Sequence, residues 1–219
     1  MPKRKYLSFS HYTHVESLKA IFKSGEIRFT KTINQNDIQE RKLLESANRL
    51  DLYSSSFCLL KEYIPLWFIY SKDKDENYGV MINFVLKKGK NYSDFFLDKR
   101  VICDNIHYYS QKDFKRYCVE PNSMPIQEIG FIKSNYWKYE KEQRFLLQKA
   151  CPDENGHDYC KINLDAISKI DIYISPNVVN IDQKSLRKEL EGKILAKIEY
   201  HVHRSKIRKI YDNNPETKK

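Results

Sequence analysis

Apolar residues recur along this chain in two rhythms, and the change from one to the other sketches the fold. Tyr6–Ser10 alternates and predicts a short strand. Val15, Leu18, Ile21 and Phe22 then share one face of a helix, with Thr13 and Glu16 spaced as a capping box ahead of it and Gly25 closing it. Glu26–Thr30 reads as a second strand. A polar loop through Asn34, Asn36 and Asp37 leads to a helix over Ile38–Leu50 that turns Leu43, Leu44 and Ala47 inward. Leu52–Cys58 is extended and serine-rich, and Pro65 suits the first turn of a short helix carrying Leu66, Trp67 and Tyr70.

The second half is richer in strand patterns. Asp73–Asn77 turns the chain into the apolar strand Gly79–Leu86. Arg100–Tyr109 predicts another strand, Gln111–Cys118 a short helix, and Pro121–Pro125 a loop. The strand Glu142–Lys149 is expected to return as a hairpin through Pro152–Asp158 into Tyr159–Leu164. Lys169–Ser175 and Ile194–Val202 are further strands, with a helix over Gln183–Leu190 between them. Helices come early and strands dominate late, which predicts the α+β class rather than alternating βαβ units. With no repeat, low-complexity segment or linker, the expectation is one domain over residues 1–212 and a disordered tail over 213–219.

Composition narrows the function classes. The chain has 219 residues, 41% apolar and 13% aromatic, enough to bury a core. Only six glycines and neither GxxxxGK[ST] nor GxGxxG argue against a glycine-rich phosphate loop. No 18-residue apolar run is present, so neither a transmembrane helix nor a membrane partner is expected, and YLSFSHYTH follows the basic MPKRK where a secretory signal needs an apolar core. Five scattered cysteines fit a reduced, cytoplasmic protein. The net charge of +10 is uneven: Lys184–Lys219 holds eleven Lys/Arg against five Asp/Glu. His201, His203, Arg204, Lys206, Arg208 and Lys209 could follow a phosphate backbone, which makes DNA or RNA a candidate partner of this C-terminal region. A solvated, lysine-rich surface explains the same charge.

Three constellations could carry chemistry. Ser10-His11-Tyr12-Thr13 stands at a strand end before a helix. Trp67 and Tyr70 lie one turn apart on a short helix. Glu140 and Glu142 share a face if their segment is extended, with Arg144 continuing it. Each has a structural alternative: a satisfied histidine, a core aromatic pair, and a solvent-facing charged strand. No metal is expected. Cys151, His157 and Cys160 could meet at one turn but no CxxC pair supports them, and His201 and His203 share a strand face among basic neighbours that oppose a cation. A Cys–His nucleophile pair stays open, with no cysteine singled out.

The order of motifs resembles a bacterial domain-of-unknown-function family over nearly the whole chain. The matching residues are His11-Tyr12-Thr13, Asn36-Asp37 with Glu40, Ser56-Phe57, Leu66-Trp67 with Tyr70, Gly79-Val80, and Trp137 with Glu140, Glu142 and Arg144. Ile174–Asn177 and Arg204–Arg208 match the family's closing pattern, and Ile38 departs from it where proline is usual. More distantly, His11-x-Thr13, Tyr70 and Glu142 resemble the ordered triad of His-Tyr-Glu ADP-ribosyltransferases.

That second resemblance implies a split β core with peripheral helices and NAD as substrate. Cleaving the nicotinamide–ribose bond passes through an oxocarbenium-like state that a nearby carboxylate stabilises. By resemblance, Glu142 hydrogen-bonds the nicotinamide-ribose hydroxyl, Tyr70 stacks on nicotinamide, His11 binds a ribose hydroxyl, and the backbone at Tyr12 meets the carboxamide with Thr13 nearby. Glu140 would orient the acceptor, Trp67 would join Tyr70 as a cofactor-binding aromatic, and Arg28, Asn36 and Asp37 stand in the chain order where a loop could cover the dinucleotide. The expected function is ADP-ribosyl transfer to a nucleic-acid or protein acceptor, or NAD hydrolysis, as a toxin or phage-defence effector. The alternative is a non-catalytic nucleic-acid- or nucleotide-binding module on the same fold. Convergence of His11, Tyr70 and Glu142 on one cleft would favour the enzyme, and neutralisation of Glu142 by Arg144 would count against it.

Overall fold

A computed structural model describes residues 6–70, 77–119, 126–178 and 181–207. The expected turn over Asp73–Glu76, the loop Pro121–Pro125, the basic pair Arg208 and Lys209, and the tail over 213–219 lie outside them. In chain order the elements are β1 (Ser8–His14), α1 (Val15–Ser24), β2 (Glu26–Lys31), α2 (Ile38–Ser46), β3 (Tyr53–Cys58), α3 (Ile64–Tyr70) and β4 (Gly79–Leu86). There follow β5 (Val101–Asn105), β6 (His107–Tyr109), α4 (Gln111–Val119), α5 (Ile126–Ile129), β7 (Ile132–Ser134) and β8 (Glu142–Leu147). The last are β9 (Asp158–Lys161), β10 (Ile167–Ile174), α6 (Gln183–Leu190) and β11 (Tyr200–Arg204). The chain is therefore α+β, with antiparallel and parallel strand pairs and several helices. No helix among the described residues is long and apolar enough to cross a membrane.

Contacts divide the chain into two compact units. The first comprises residues 1–26, 59–95 and 162–219, and its strands run β11–β10–β4–β1. β1 and β10 pair antiparallel with β4, whereas β11 runs parallel to β10. Because side chains alternate across a strand, the register sorts the sheet into two faces. Phe9, Phe84, Ile170 and Tyr200 line one face, and Phe22 of α1 meets Tyr200 there at 5.5 Å between ring centroids. Ser10, Asn83, Asp171 and His201 form a polar row straight across the other. The next row, Tyr12, Met81, Tyr173 and His203, packs against Trp67 of α3 through Tyr12, Met81 and Tyr173.

The second unit comprises residues 27–58 and 96–161, and its main sheet runs β5–β8–β3–β2–β9. β8 pairs antiparallel with both β3 and β5, and all six of its residues are buried. β6 and β7 form a separate parallel pair. Leu43 and Leu44 of α2, Phe114 of α4, Leu52, Ile129 and Ile132 make one apolar cluster.

Several sequence expectations change for identifiable reasons. The Thr13–Glu16 capping box does not form, because β1 keeps pairing with β4 as far as His14 and takes Thr13 into the strand. Tyr78 O and Asn77 Oδ1 instead accept the Val15 and Glu16 N–H groups, satisfying donors the helix start leaves open. The expected strand Arg100–Tyr109 breaks at Ile106, whose N–H donates to Glu142 O, so that β5 stays with β8 and β6 joins β7. β8 and β9 are not a hairpin: β9 neighbours β2, and Asp153 closes the turn between them by accepting the Asn155 and His157 N–H groups. Ile194–Lys197 is a 3₁₀ turn, and the last strand begins at Tyr200.

Candidate functional site

The densest charge in the second unit is a closed network around Arg144. Arg144 sits on β8 opposite Ser56 of β3, with no exposed surface. Its Nε donates to Glu142 Oε1 at 2.7 Å, and one terminal nitrogen donates to Glu40 and to Gly130 O at 2.8 Å. The other terminal nitrogen reaches Gln35 Oε1, Glu40 Oε2 and Glu142 Oε2, each at 3.3 Å. Every guanidinium N–H thus has an acceptor. Lys133 of β7 donates to Glu140 at 2.7 Å, lies 2.8 Å from Glu142 Oε2, and faces the Trp137 ring at 5.4 Å. Ser56 Oγ donates to Glu142 Oε1 at 2.5 Å. Two donors therefore meet each oxygen of Glu142, a residue only 3% exposed.

The two principal carboxyls respond to this environment in opposite ways. Burial raises the Glu142 carboxyl, but Arg144 and Lys133 outweigh burial and bring it from 4.5 down to about 2. Burial dominates at Glu40 and pushes its carboxyl above the ordinary value despite Arg144 and Lys133. Two cations facing three carboxylates leave one excess negative charge, and Glu40 is the carboxyl that pays the desolvation. Tyr108, whose hydroxyl accepts the Glu142 N–H at 3.0 Å, is pushed up to about 12, chiefly by burial.

The expected site residues divide between the units. Asp37, Asn36, Arg28, Glu140 and Glu142 belong to the second. Asp37 is buried as the N-cap of α2, accepting the Gln39 and Glu40 N–H groups, whereas Asn36 and Arg28 are exposed. Glu140 ends a 3₁₀ turn and Lys141 is left-handed, so Glu140 and Glu142 do not share an extended face as the sequence suggested. Both nevertheless reach Lys133.

His11, Tyr12, Thr13, Trp67 and Tyr70 belong to the first unit. Alternation places His11 and Thr13 on the face opposite Tyr12, while α3, which carries Tyr70, packs on the Tyr12 face through Trp67. Tyr12 is tied down further, its hydroxyl accepting the Tyr63 N–H at 2.8 Å. Trp67 is 1% exposed, which makes it core rather than an open stacking surface. Tyr70 is half-buried.

A second polar cluster lies on the first unit's polar face. The buried Asp171 carboxylate is approached by Lys169 Nζ at 3.3 Å, His203 Nε2 at 3.4 Å, Lys61 Nζ at 3.5 Å and His201 Nδ1 at 3.6 Å. Burial raises this carboxyl, but Lys61, His203 and Lys169 together bring it below its ordinary value. Sequence reasoning missed Asp171, although one acid inside the apolar run Ile170–Ile174 signals a special environment. It also missed Lys133 and Gln35, for which the sequence carries no local signal. Cys151, His157 and Cys160 form no three-ligand group, since Cys151 is exposed and Cys160 is buried on β9.

No protein-family model, curated protein or solved structure matches this chain.

Proposed function

We propose that this chain is a nucleotide- or nucleic-acid-binding module, built on a split β core of the ADP-ribosyltransferase kind, in which Glu142 is a structural anchor. The observation that carries this reading is the state of Glu142, buried and met by two donors on each oxygen. A carboxylate that stabilises an oxocarbenium ion must turn its charge toward the ribose. Arg144 and Lys133 cancel that charge locally, and a ribose hydroxyl would have to displace one of them.

The binding half of the reading rests on charge. Lys184 and Lys188 of α6, Lys197 and Lys206 are exposed and form no ion pair among the described residues. Phosphate attraction of this kind is sequence-independent and weakens as salt rises. The experiment is a salt titration of DNA and RNA binding by the wild type, by a Lys184→Glu/Lys188→Glu variant and by Glu142→Gln. The expected result is affinity that falls with salt, falls again on charge reversal, and is unchanged in folded Glu142→Gln. Affinity indifferent to salt and to the two lysines would overturn it.

A second reading, an NAD-dependent ADP-ribosyltransferase or NAD glycohydrolase, is favoured by one observation. Glu142 remains ionised with a carboxyl at about 2, and Ser56 fixes its orientation at the first residue of β8. On that reading Glu140 orients the acceptor, and Lys133 must swing away from Glu142 before a ribose hydroxyl is engaged.

A further inference from the structure

We infer that Asp171, His201 and His203 form a binding site for a divalent transition-metal ion, with Zn²⁺ the best fit. Parallel pairing sets Asp171 beside His201 and Tyr173 beside His203, so alternation brings the carboxylate and both imidazoles onto one face. One ligand atom from each residue lies within 4.8 Å of the other two. β11 ends the first unit's sheet, and its two histidine side chains are 43% and 41% exposed over the buried carboxylate, which gives an ion a route in.

The spacing suits a shared ion better than direct hydrogen bonds. His203 Nε2 and His201 Nδ1 stand 3.4 and 3.6 Å from the same oxygen, Asp171 Oδ1. Good N–H···O hydrogen bonds are about 2.7–3.2 Å long. Ligands about 2.0–2.1 Å from a tetrahedral ion are separated by about 3.3–3.4 Å. The surroundings also orient the ligands. His201 Nε2 lies 3.4 Å from Glu199 Oε1, so an outer carboxylate faces the ring nitrogen turned away from Asp171. The His203 ring stacks on Tyr173 at 4.9 Å with 27° between planes. Two imidazoles and a carboxylate suit Zn²⁺, and three protein ligands leave its fourth position open.

Two cations oppose the site. Lys169 approaches both Asp171 oxygens and Lys61 approaches Oδ2, while Lys61 also lies over the Tyr173 ring at 4.9 Å. Both lysines are substantially exposed and can swing outward, so they weaken an incoming cation without blocking it. Their sign makes the proposal testable, since removing either lysine strengthens a cation site and weakens an anion site.

The test is titration of the full chain with Zn²⁺ at pH 7.5 against a chromophoric chelator, with inorganic phosphate in a parallel arm and melting temperature as the folding control. The expected result is one equivalent of Zn²⁺, weakened at least about 100-fold in folded His201→Ala and His203→Ala. Lys169→Met is expected to tighten Zn²⁺ by about threefold or more. Absence of Zn²⁺ binding overturns the proposal, as does binding that survives both histidine substitutions. Phosphate binding at this face that is lost in Lys169→Met, with Zn²⁺ binding unchanged by that variant, overturns it equally. Asp171→Asn is secondary because the residue is buried, and the half-exposed histidines decide the outcome.

Discussion

The two charged clusters differ in closure. In the second unit, Arg144, Lys133, Glu40, Glu140 and Glu142 are all buried, and the contacts from Arg144 Nε and Lys133 to Glu142 and Glu140 are 2.7–2.8 Å long. In the first, a single buried carboxylate is surrounded by half-exposed lysines and histidines at 3.3–3.6 Å. Desolvated ions are tolerated only when their partners are complete, so the closed cluster has little left to offer a ligand. The open cluster has loose partners and solvent beside it. High charge density alone therefore does not make a site open to a ligand.

The largest effect that would break this contrast is expected from Arg144→Met. It strands Glu40 and Glu142 without their shared cation and should cost about 3–5 kcal/mol, read as a lower denaturation midpoint in urea. A change below about 1 kcal/mol would mean that the network holds nothing together. Glu142→Gln comes next, at about 2–3 kcal/mol, because Arg144 and Lys133 each lose a charged acceptor. Glu40→Gln should cost less, since burial already favours the neutral form there.

Acid sharpens the same comparison. The Glu142 carboxyl is depressed from 4.5 to about 2, so its contribution is present above pH 4.5 and disappears as pH falls toward 2. Glu40 is raised and acts with the opposite sign: its contribution is full below its unfolded value and declines as pH climbs through the folded one. Stability measured between pH 4.5 and 2 should therefore fall less steeply in Glu142→Gln than in the wild type. Equal slopes would contradict the assignment.

The smallest effects belong to the open cluster. Without metal, His203→Ala and Lys61→Met should each change stability by about 0.5 kcal/mol or less, because each removes one of four long, half-exposed contacts and leaves the Asp171 carboxylate three others. A loss above about 2 kcal/mol from either would show that this cluster, too, is structural.

Much of this architecture was legible in the residues. Val15, Leu18, Ile21 and Phe22 did mark the buried stripe of α1, Gly25 did close it in the left-handed conformation, and Gly79–Leu86 is a strand as its apolar run indicated. Glu142 and Arg144 share a strand face, as their spacing implied. Non-local pairing was not legible. Nothing in Lys133 announces that β6 and β7 will carry it to Glu142, and nothing in Pro152–Asp158 says that the following strand will leave β8 for β2. Thr13 illustrates the same limit, since its capping signal is local and the ladder with β4 overrides it.

The most direct test of the central claim, that the closed cluster is structural, is nicotinamide release from NAD by the purified wild type, with and without DNA, RNA or lysate. The account predicts no release above the buffer rate under any of these conditions. Release that disappears in a folded Glu142→Gln variant would contradict it and establish the transferase reading instead.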